Sequence, residues 1–178
     1  MKNIVLVGFM GAGKTTVARE LERMAGLSVL DTDEQIVRED GRSIADIFAQ
    51  DGEEAFRQME TRTLEKIACS DAAGMVVSVG GGLPCREKNR RLMKKIGHCF
   101  YLKAPADVLC ARLQADRSRP VLLGKSGDDL KQHVLRLMDR REAAYMAAAD
   151  TVLDTWGLTP SMTARQILSI MQRMEKRV

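Results

Sequence analysis

Residues 3 to 16 constrain this chain more than any other stretch. Asn3-Ile-Val-Leu-Val7 is a short apolar, β-branched run, and Gly8-Phe-Met-Gly-Ala-Gly-Lys-Thr-Thr16 follows it directly. The second segment fits G-x-x-x-x-G-K-[ST], with Gly8, Gly13, Lys14 and Thr15 at the fixed positions. Beyond it Val17, Leu21 and Met24 fall at i, i+4 and i+7, with Ala18 beside them, so the loop opens into an amphipathic helix. Glycines let successive backbone N–H groups point at one anion, and the helix N-terminus adds a partial positive charge there. In that setting Gly11, Ala12, Gly13, Lys14, Thr15 and Thr16 form a phosphate cradle. Lys14 reaches the outer phosphates, and the Thr15 hydroxyl can ligate a magnesium ion bound to them. The bland alternative, a Gly-rich turn before an ordinary helix, does not explain strand, loop, Lys-Thr pair and helix in this order. The stretch implies a nucleoside triphosphate, with magnesium, as ligand.

Composition sets the bounds around that unit. A chain of 178 residues, 45% of them hydrophobic and 29% charged, suits one soluble globular domain. Its longest apolar runs are strand-sized, so no membrane association is expected. A cleavable leader would take the phosphate motif with it, so none is expected either. Cys69, Cys85, Cys99 and Cys110 are scattered without metal or disulfide spacing, which suits a reducing, cytoplasmic location. The net charge of +4 could point to nucleic acid, but basic and acidic residues are interleaved and only 4% of residues are aromatic. An enzyme that binds anionic small molecules accounts for the surplus, and no nucleic-acid partner is expected.

Strand-like runs recur at Asn3–Val7, Ser28–Leu30, Met75–Val79, Cys99–Leu102 and Thr151–Leu153, separated by helical patterns. The alternation predicts a parallel sheet covered by helices on both faces, although the order of strands in space cannot be read from it. Ser43 reads as the N-cap of a short helix carrying Ile44, Ile47 and Phe48. A longer helix follows Asp51-Gly52, with Phe56, Met59, Thr63 and Ile67 on one face. Pro105 and Thr159-Pro160 open two more, the last burying Ile167, Ile170, Met171 and Met174. Gln114 to Asp129, with its glycines, proline and mixed charge, reads as a long functional loop, in this setting a lid that excludes water.

Two further segments carry chemistry. Asp31-Thr-Asp33 ends the second strand, where ligands of open α/β sheets bind. Alternation of side chains along extended backbone would let one acid face the metal and the other an acceptor hydroxyl. Capping of the following helix by Thr32 or Asp33 is the competing explanation. Gly80-Gly81-Gly82 after the third strand exceeds what a tight turn needs and favours close approach of a ligand to the main chain. Arg57, Arg112, Arg117, Arg119 and Arg141 are individually ordinary, yet a guanidinium fork suits carboxylates and phosphates.

Taken together in this order, these features resemble the shikimate kinases. The likeness runs through GxxGxGKT at 8–15, Asp31-Thr-Asp33, RSIADIF at 42–48, Asp51-Gly-Glu, Phe56-Arg57 and Ser78-x-Gly-Gly-Gly82. It continues through Arg112, Arg119-Pro120 with a leucine pair, Arg141-x-x-x-Tyr145 and Ala149-Asp150. The resemblance implies one domain over 1–178 with the five-stranded parallel, three-layer α/β/α fold of nucleoside-monophosphate kinases. It also implies a substrate-binding region at about 32–60 and a mobile lid at about 114–127. The implied reaction is phosphorylation of the shikimate 3-hydroxyl by Mg-ATP, in a monomer.

By the same resemblance Lys14 holds the β- and γ-phosphates, Thr15 binds magnesium, and Asp31 joins its shell through water, helped by Ser78. Asp33 holds the acceptor hydroxyls and acts as base or orienter. Arg57 and Arg141 clamp the shikimate carboxylate, with the backbone of Gly80, Gly81 and Gly82 beside the ring. Arg119 closes onto the phosphates, and Arg112 packs on adenine. The chain departs from the family pattern at Arg119-Pro-Val-Leu-Leu123, at Leu83-Pro84 after the glycines, and at Asp154–Pro160, where some relatives carry a further arginine. A gluconate-type kinase is disfavoured by the paired arginines, the two acids and the glycine triplet. A binding module without turnover is disfavoured by the presence of both Lys14 and Asp33.

Overall fold

In the computed structural model the chain is described over residues 2–115 and 127–176. Its elements alternate from the start: β1 Asn3–Val7, α1 Lys14–Ala25, β2 Ser28–Asp31, α2 Thr32–Asp40, α3 Ile44–Ala68 and β3 Met75–Ser78. A single 3₁₀ turn at Leu83–Cys85 leads to α4 Glu87–Ile96, β4 Gly97–Lys103 and α5 Ala106–Ala115. Then follow α6 Gly127–Ala148, β5 Thr151–Asp154 and α7 Pro160–Glu175. All strand pairs are parallel, and the order across the sheet is β2-β3-β1-β4-β5. The expected five-stranded α/β/α architecture is therefore present, and the five predicted strands differ from the observed ones only at their ends.

The strand order supplies what the sequence left open. The chain fills one side of β1 with β3 and β2, then crosses to the other side with β4 and β5. The carboxyl end of β1 is thus the switch point of the sheet, where helices on the two faces diverge and leave a crevice. The loops leaving β1, β2 and β3 all open there. β1 itself is a buried apolar run, Ile4 to Val7 being wholly inaccessible, as a central parallel strand covered on both faces requires.

Most side chains behave as their spacing predicts. Val17, Ala18 and Leu21 are the buried face of α1, and Gly26 closes that helix in the left-handed region at φ 66°. Ser43 caps α3 by accepting from Asp46 N at 3.1 Å, and Thr159 caps α7 by accepting from Met162 N at 3.2 Å. Pro105 sits just ahead of α5 rather than inside its first turn, and its carbonyl accepts from Leu109 N at 3.1 Å. The two helices expected on either side of Gly52 are both present within α3 and meet at a kink, where Gly52 alone is non-helical at φ 80°, ψ 171°. Around the kink lies a small second core of Ile36, Ile47 and Phe56, flanked by Ile44, Phe48 and Met59 and separate from the main core under the sheet.

Candidate active site

Two cavities open at the carboxyl edge of the sheet. The first, about 420 Å³, is lined by Gly11 to Val17, with Arg112 on one side and Thr155, Leu158, Pro160 and Thr163 on the other. Its floor is main chain. Gly11 and Gly13 take φ 79° and 85°, conformations that side-chain-bearing residues rarely adopt, and Gly13 hands the chain into α1. A Cβ on Gly8 would stand 2.8 Å from the Leu102 carbonyl oxygen, so the loop also lies tight on β4. Lys14 Nζ folds over the loop, donating to the carbonyls of Gly8 (2.9 Å) and Phe9 (3.0 Å). Arg112 Nη1 donates to the Gly11 carbonyl at 3.0 Å, which places its guanidinium at the cavity mouth. The stretch after β5 contributes Thr155, Leu158 and Pro160.

Asp31 adjoins this cavity through Thr15 and has two jobs. Its Oδ1 accepts from the backbone N–H of Asp33 (3.0 Å) and Glu34 (3.4 Å), capping α2. Its Oδ2 accepts from Thr15 Oγ1 (3.0 Å) and Ser78 Oγ (2.9 Å). The cap expected of Thr32 or Asp33 is therefore made by Asp31. The separation of the two acids also has a different cause from the one expected. Residues two apart on extended backbone share a face, but β2 ends at Asp31 and α2 begins at Thr32, and that turn sends Asp33 toward the second cavity.

The second cavity, about 400 Å³, is lined by Met10, Asp33, Val37, Ser43, Ile44, Ala45, Phe48 and Phe56. Arg57, Glu60, the triplet Gly80–Gly82 and Arg141 complete it. It brings together every residue the sequence assigned to the acceptor, from α2, α3, the turn after β3, and α6. Where the composition suggested close approach of a ligand, the triplet is closely approached by the protein's own groups. A Cβ on Gly80 would fall 2.6 Å from Asp33 Oδ1 and 3.0 Å from Glu60 Oε1, and one on Gly82 would collide with the Arg57 guanidinium. One on Gly81 would press on Met10 N at 3.3 Å, so the triplet also backs onto the phosphate loop. Thr32 Oγ1 accepts from Gly80 N (3.0 Å), and Tyr145 donates its hydroxyl to the Gly81 carbonyl (2.6 Å). Burial pushes the Tyr145 hydroxyl's pKa upward, so it remains a donor.

Glu60 is the residue that sequence reasoning missed. It is 1% exposed, and its Oε2 accepts from Arg57 Nη1 at 2.9 Å while Arg57 also pairs with Glu53 at 2.9 Å. Two opposing effects act on it. The guanidinium favours the carboxylate, but desolvation outweighs it and pushes the Glu60 carboxyl up to about 7, with the Asp33 charge adding to the rise. A signal existed, since Glu60 lies one turn from Arg57 on the same helix face. On a helix rich in charge that spacing is too common to select it.

Arg141 lies at the acceptor cavity with its guanidinium carbon 6.0 Å from the centre of the Phe9 ring. Residues 116–126 are outside the described residues, so Arg117, Arg119 and most of the expected lid are not placed. Among the described residues no cluster of three or more His, Cys, Asp or Glu could hold a metal, and no helix is long and apolar enough to cross a membrane.

Comparison with known proteins decides the family. The shikimate kinase family model matches residues 10–172. The chain belongs to the shikimate kinase family. It is 38% identical over 170 residues to a shikimate kinase of Caldicellulosiruptor bescii, covering 96% of this chain and 95% of that one. It is 40% identical over 152 residues to one of Parabacteroides distasonis, covering 85% and 87%. A solved shikimate kinase of Acinetobacter baumannii in complex with shikimate superposes with a TM-score of 0.89 at 33% identity, covering 97% of this chain and 94% of that one. A tunicamycin resistance protein of Deinococcus radiodurans, TM-score 0.61 at 21% identity, shares the fold alone. As a shikimate kinase the chain is an ATP-dependent phosphotransferase acting on shikimate in aromatic biosynthesis.

Proposed function

We propose that the chain transfers the γ-phosphoryl group of ATP to the 3-hydroxyl of shikimate, giving shikimate 3-phosphate and ADP. ATP occupies the cavity of Gly11 to Thr16, and shikimate occupies the cavity of Asp33, Arg57, Gly80–Gly82 and Arg141. The observation that carries this reading is the junction of the two. Met10 lines one cavity and its neighbour Gly11 lines the other, so an acceptor hydroxyl and a terminal phosphate would meet across a single stretch of main chain.

Each group's chemistry suits its place. Lys14 and the N-terminus of α1 offset charge on the phosphates. Asp33 accepts the hydroxyl's hydrogen and aims its oxygen at phosphorus. Arg57 and Arg141 offer two cations to a carboxylate, which distinguishes an acidic polyol from a neutral one. Arg112 would border the base, and Arg119, outside the described residues, is assigned to the phosphates by the family resemblance. Magnesium fits the hard oxygen donors Thr15 Oγ1, Asp31 Oδ2 and Ser78 Oγ, the two hydroxyls each lying within 3.0 Å of Asp31 Oδ2. Thr15 would hold it directly and Asp31 through water, and when bound it would neutralise phosphate charge. So few protein ligands are usual for magnesium carried on a nucleotide. We also read the chain as a cytoplasmic monomer, in keeping with its four free cysteines.

Coupled ADP-release kinetics with shikimate, gluconate and no acceptor tests the reading. Shikimate-dependent release is expected. Asp33→Asn should bind ATP normally and lose about 10²–10⁴-fold in kcat. Release with gluconate but not shikimate, or high turnover in Asp33→Asn, would overturn it.

A further inference from the structure

The glycine triplet forms one wall of the acceptor cavity and α3 forms another, and a fully buried amide ties them together. Asn89 on α4 is 0% exposed. Its Nδ2 donates to the Leu83 carbonyl at 3.0 Å, the residue immediately after Gly82. Its Oδ1 accepts from Thr61 Oγ1 at 2.8 Å, and that hydroxyl also reaches the Arg57 carbonyl at 3.0 Å. One side chain thus bridges the turn that carries Gly82 and the helical turn that carries Arg57.

An apolar side chain could fill this space between α3 and α4, and burying an amide costs free energy unless both of its ends are bonded. The surface already joins the same two helices through ion pairs, Arg86 with Glu54 and Lys88 with Glu65, all of them at least partly solvated. Exposed pairs of that kind contribute little and tolerate movement. Among the described polar contacts between these helices, the Asn89 link is the one that is dry and bonded at both ends. What it fixes is a contact with no slack, because the Arg57 guanidinium lies so close to Gly82 that a Cβ there would stand 2.6 Å from its central carbon. A shift of α3 against the turn would therefore move Arg57 relative to Gly82, and would leave the phosphate loop, held against β4, in place.

We propose that Asn89 is a positioning residue for the acceptor: through Thr61 and Leu83 it sets the spacing between Arg57 and Gly82, and so the affinity for shikimate. The proposal rests on the assignment of shikimate to this cavity, and wild-type turnover of shikimate is the control that tests that assignment separately.

The experiment is steady-state kinetics on wild type and Asn89→Leu, with shikimate and ATP varied in turn and the thermal unfolding midpoint measured alongside. The expected result is a rise in shikimate KM of about tenfold, with ATP KM and kcat within about twofold. A folded Asn89→Leu whose shikimate KM does not move, or whose two KM values rise together, overturns the role. If Asn89→Leu does not fold, Thr61→Val decides, since it keeps the bond to Leu83 and cuts the bond to α3. There the expected rise in shikimate KM is about threefold with ATP KM unchanged, and an unmoved shikimate KM overturns the proposal.

Discussion

The two cavities share a wall yet are built by opposite means. The nucleotide cavity is a local object, with seven consecutive residues, Gly11 to Val17, providing most of its lining and backbone geometry providing its chemistry. The acceptor cavity is a non-local one. Its polar groups come from α2, α3, the turn after β3 and α6, so the sheet's topology has to bring them together. A site made of main chain is fixed once its strand and helix form. A site made of side chains is only as exact as the packing of the helices that carry them.

Substitutions can break that contrast or sharpen it. The largest effect is expected for Lys14→Ala, which should lower kcat about 10³-fold, the scale of losing one group aimed at developing charge. Shikimate affinity, measured by calorimetry, should stay within about twofold. A comparable loss of shikimate affinity would mean that the shared wall couples the two cavities. Gly82→Ala comes next. Its φ of −93° suits any residue, so the substitution acts only by displacing Arg57. Shikimate KM should rise about tenfold while ATP KM holds, again by steady-state kinetics.

The smallest effect concerns stability and Glu60. Its folded pKa of about 7 lies above the ordinary value of 4.5, so between those values the native state binds a proton that the unfolded chain has lost. Stability from this group is therefore fully present below about pH 4.5 and falls as pH rises toward and through 7. His98, whose pKa burial lowers, acts in the opposite sense, so the readout is a difference between proteins. Denaturant unfolding from pH 5 to 8 should show wild type losing stability relative to Glu60→Gln as pH rises. Parallel curves would mean that Glu60 is ionised throughout.

What was legible in the sequence follows the same division. The phosphate loop, the strands and the helix caps could be read directly, because each depends on neighbours within a few residues. Asp31-Thr-Asp33 could be seen as a chemical segment but its geometry could not. Alternation along a strand gave the wrong reason for the split, since α2 already begins at Thr32 and the segment is not extended through Asp33. Arg57 and Arg141 stood out only through their place in a family pattern. Glu60 and Asn89 did not stand out at all, for nothing local marks a glutamate or an asparagine as buried. Their burial is decided by how α3 and α4 pack, at sequence separations such as the 28 residues between Thr61 and Asn89.

The small core beside Gly52 gives the molecule a separable part. Arg42 pairs with Asp40 at the end of α2 and with Asp51 just before the kink, each at 2.6 Å. Ile36, Ile47 and Phe56 pack beneath without joining the main core. The outer wall of the acceptor cavity is thus a unit with its own interior. Mutational drift in that interior can reshape which acid fits, while the sheet that supports nucleotide chemistry keeps its packing. Acceptor preference and fold stability are in this sense separately heritable traits of one short chain.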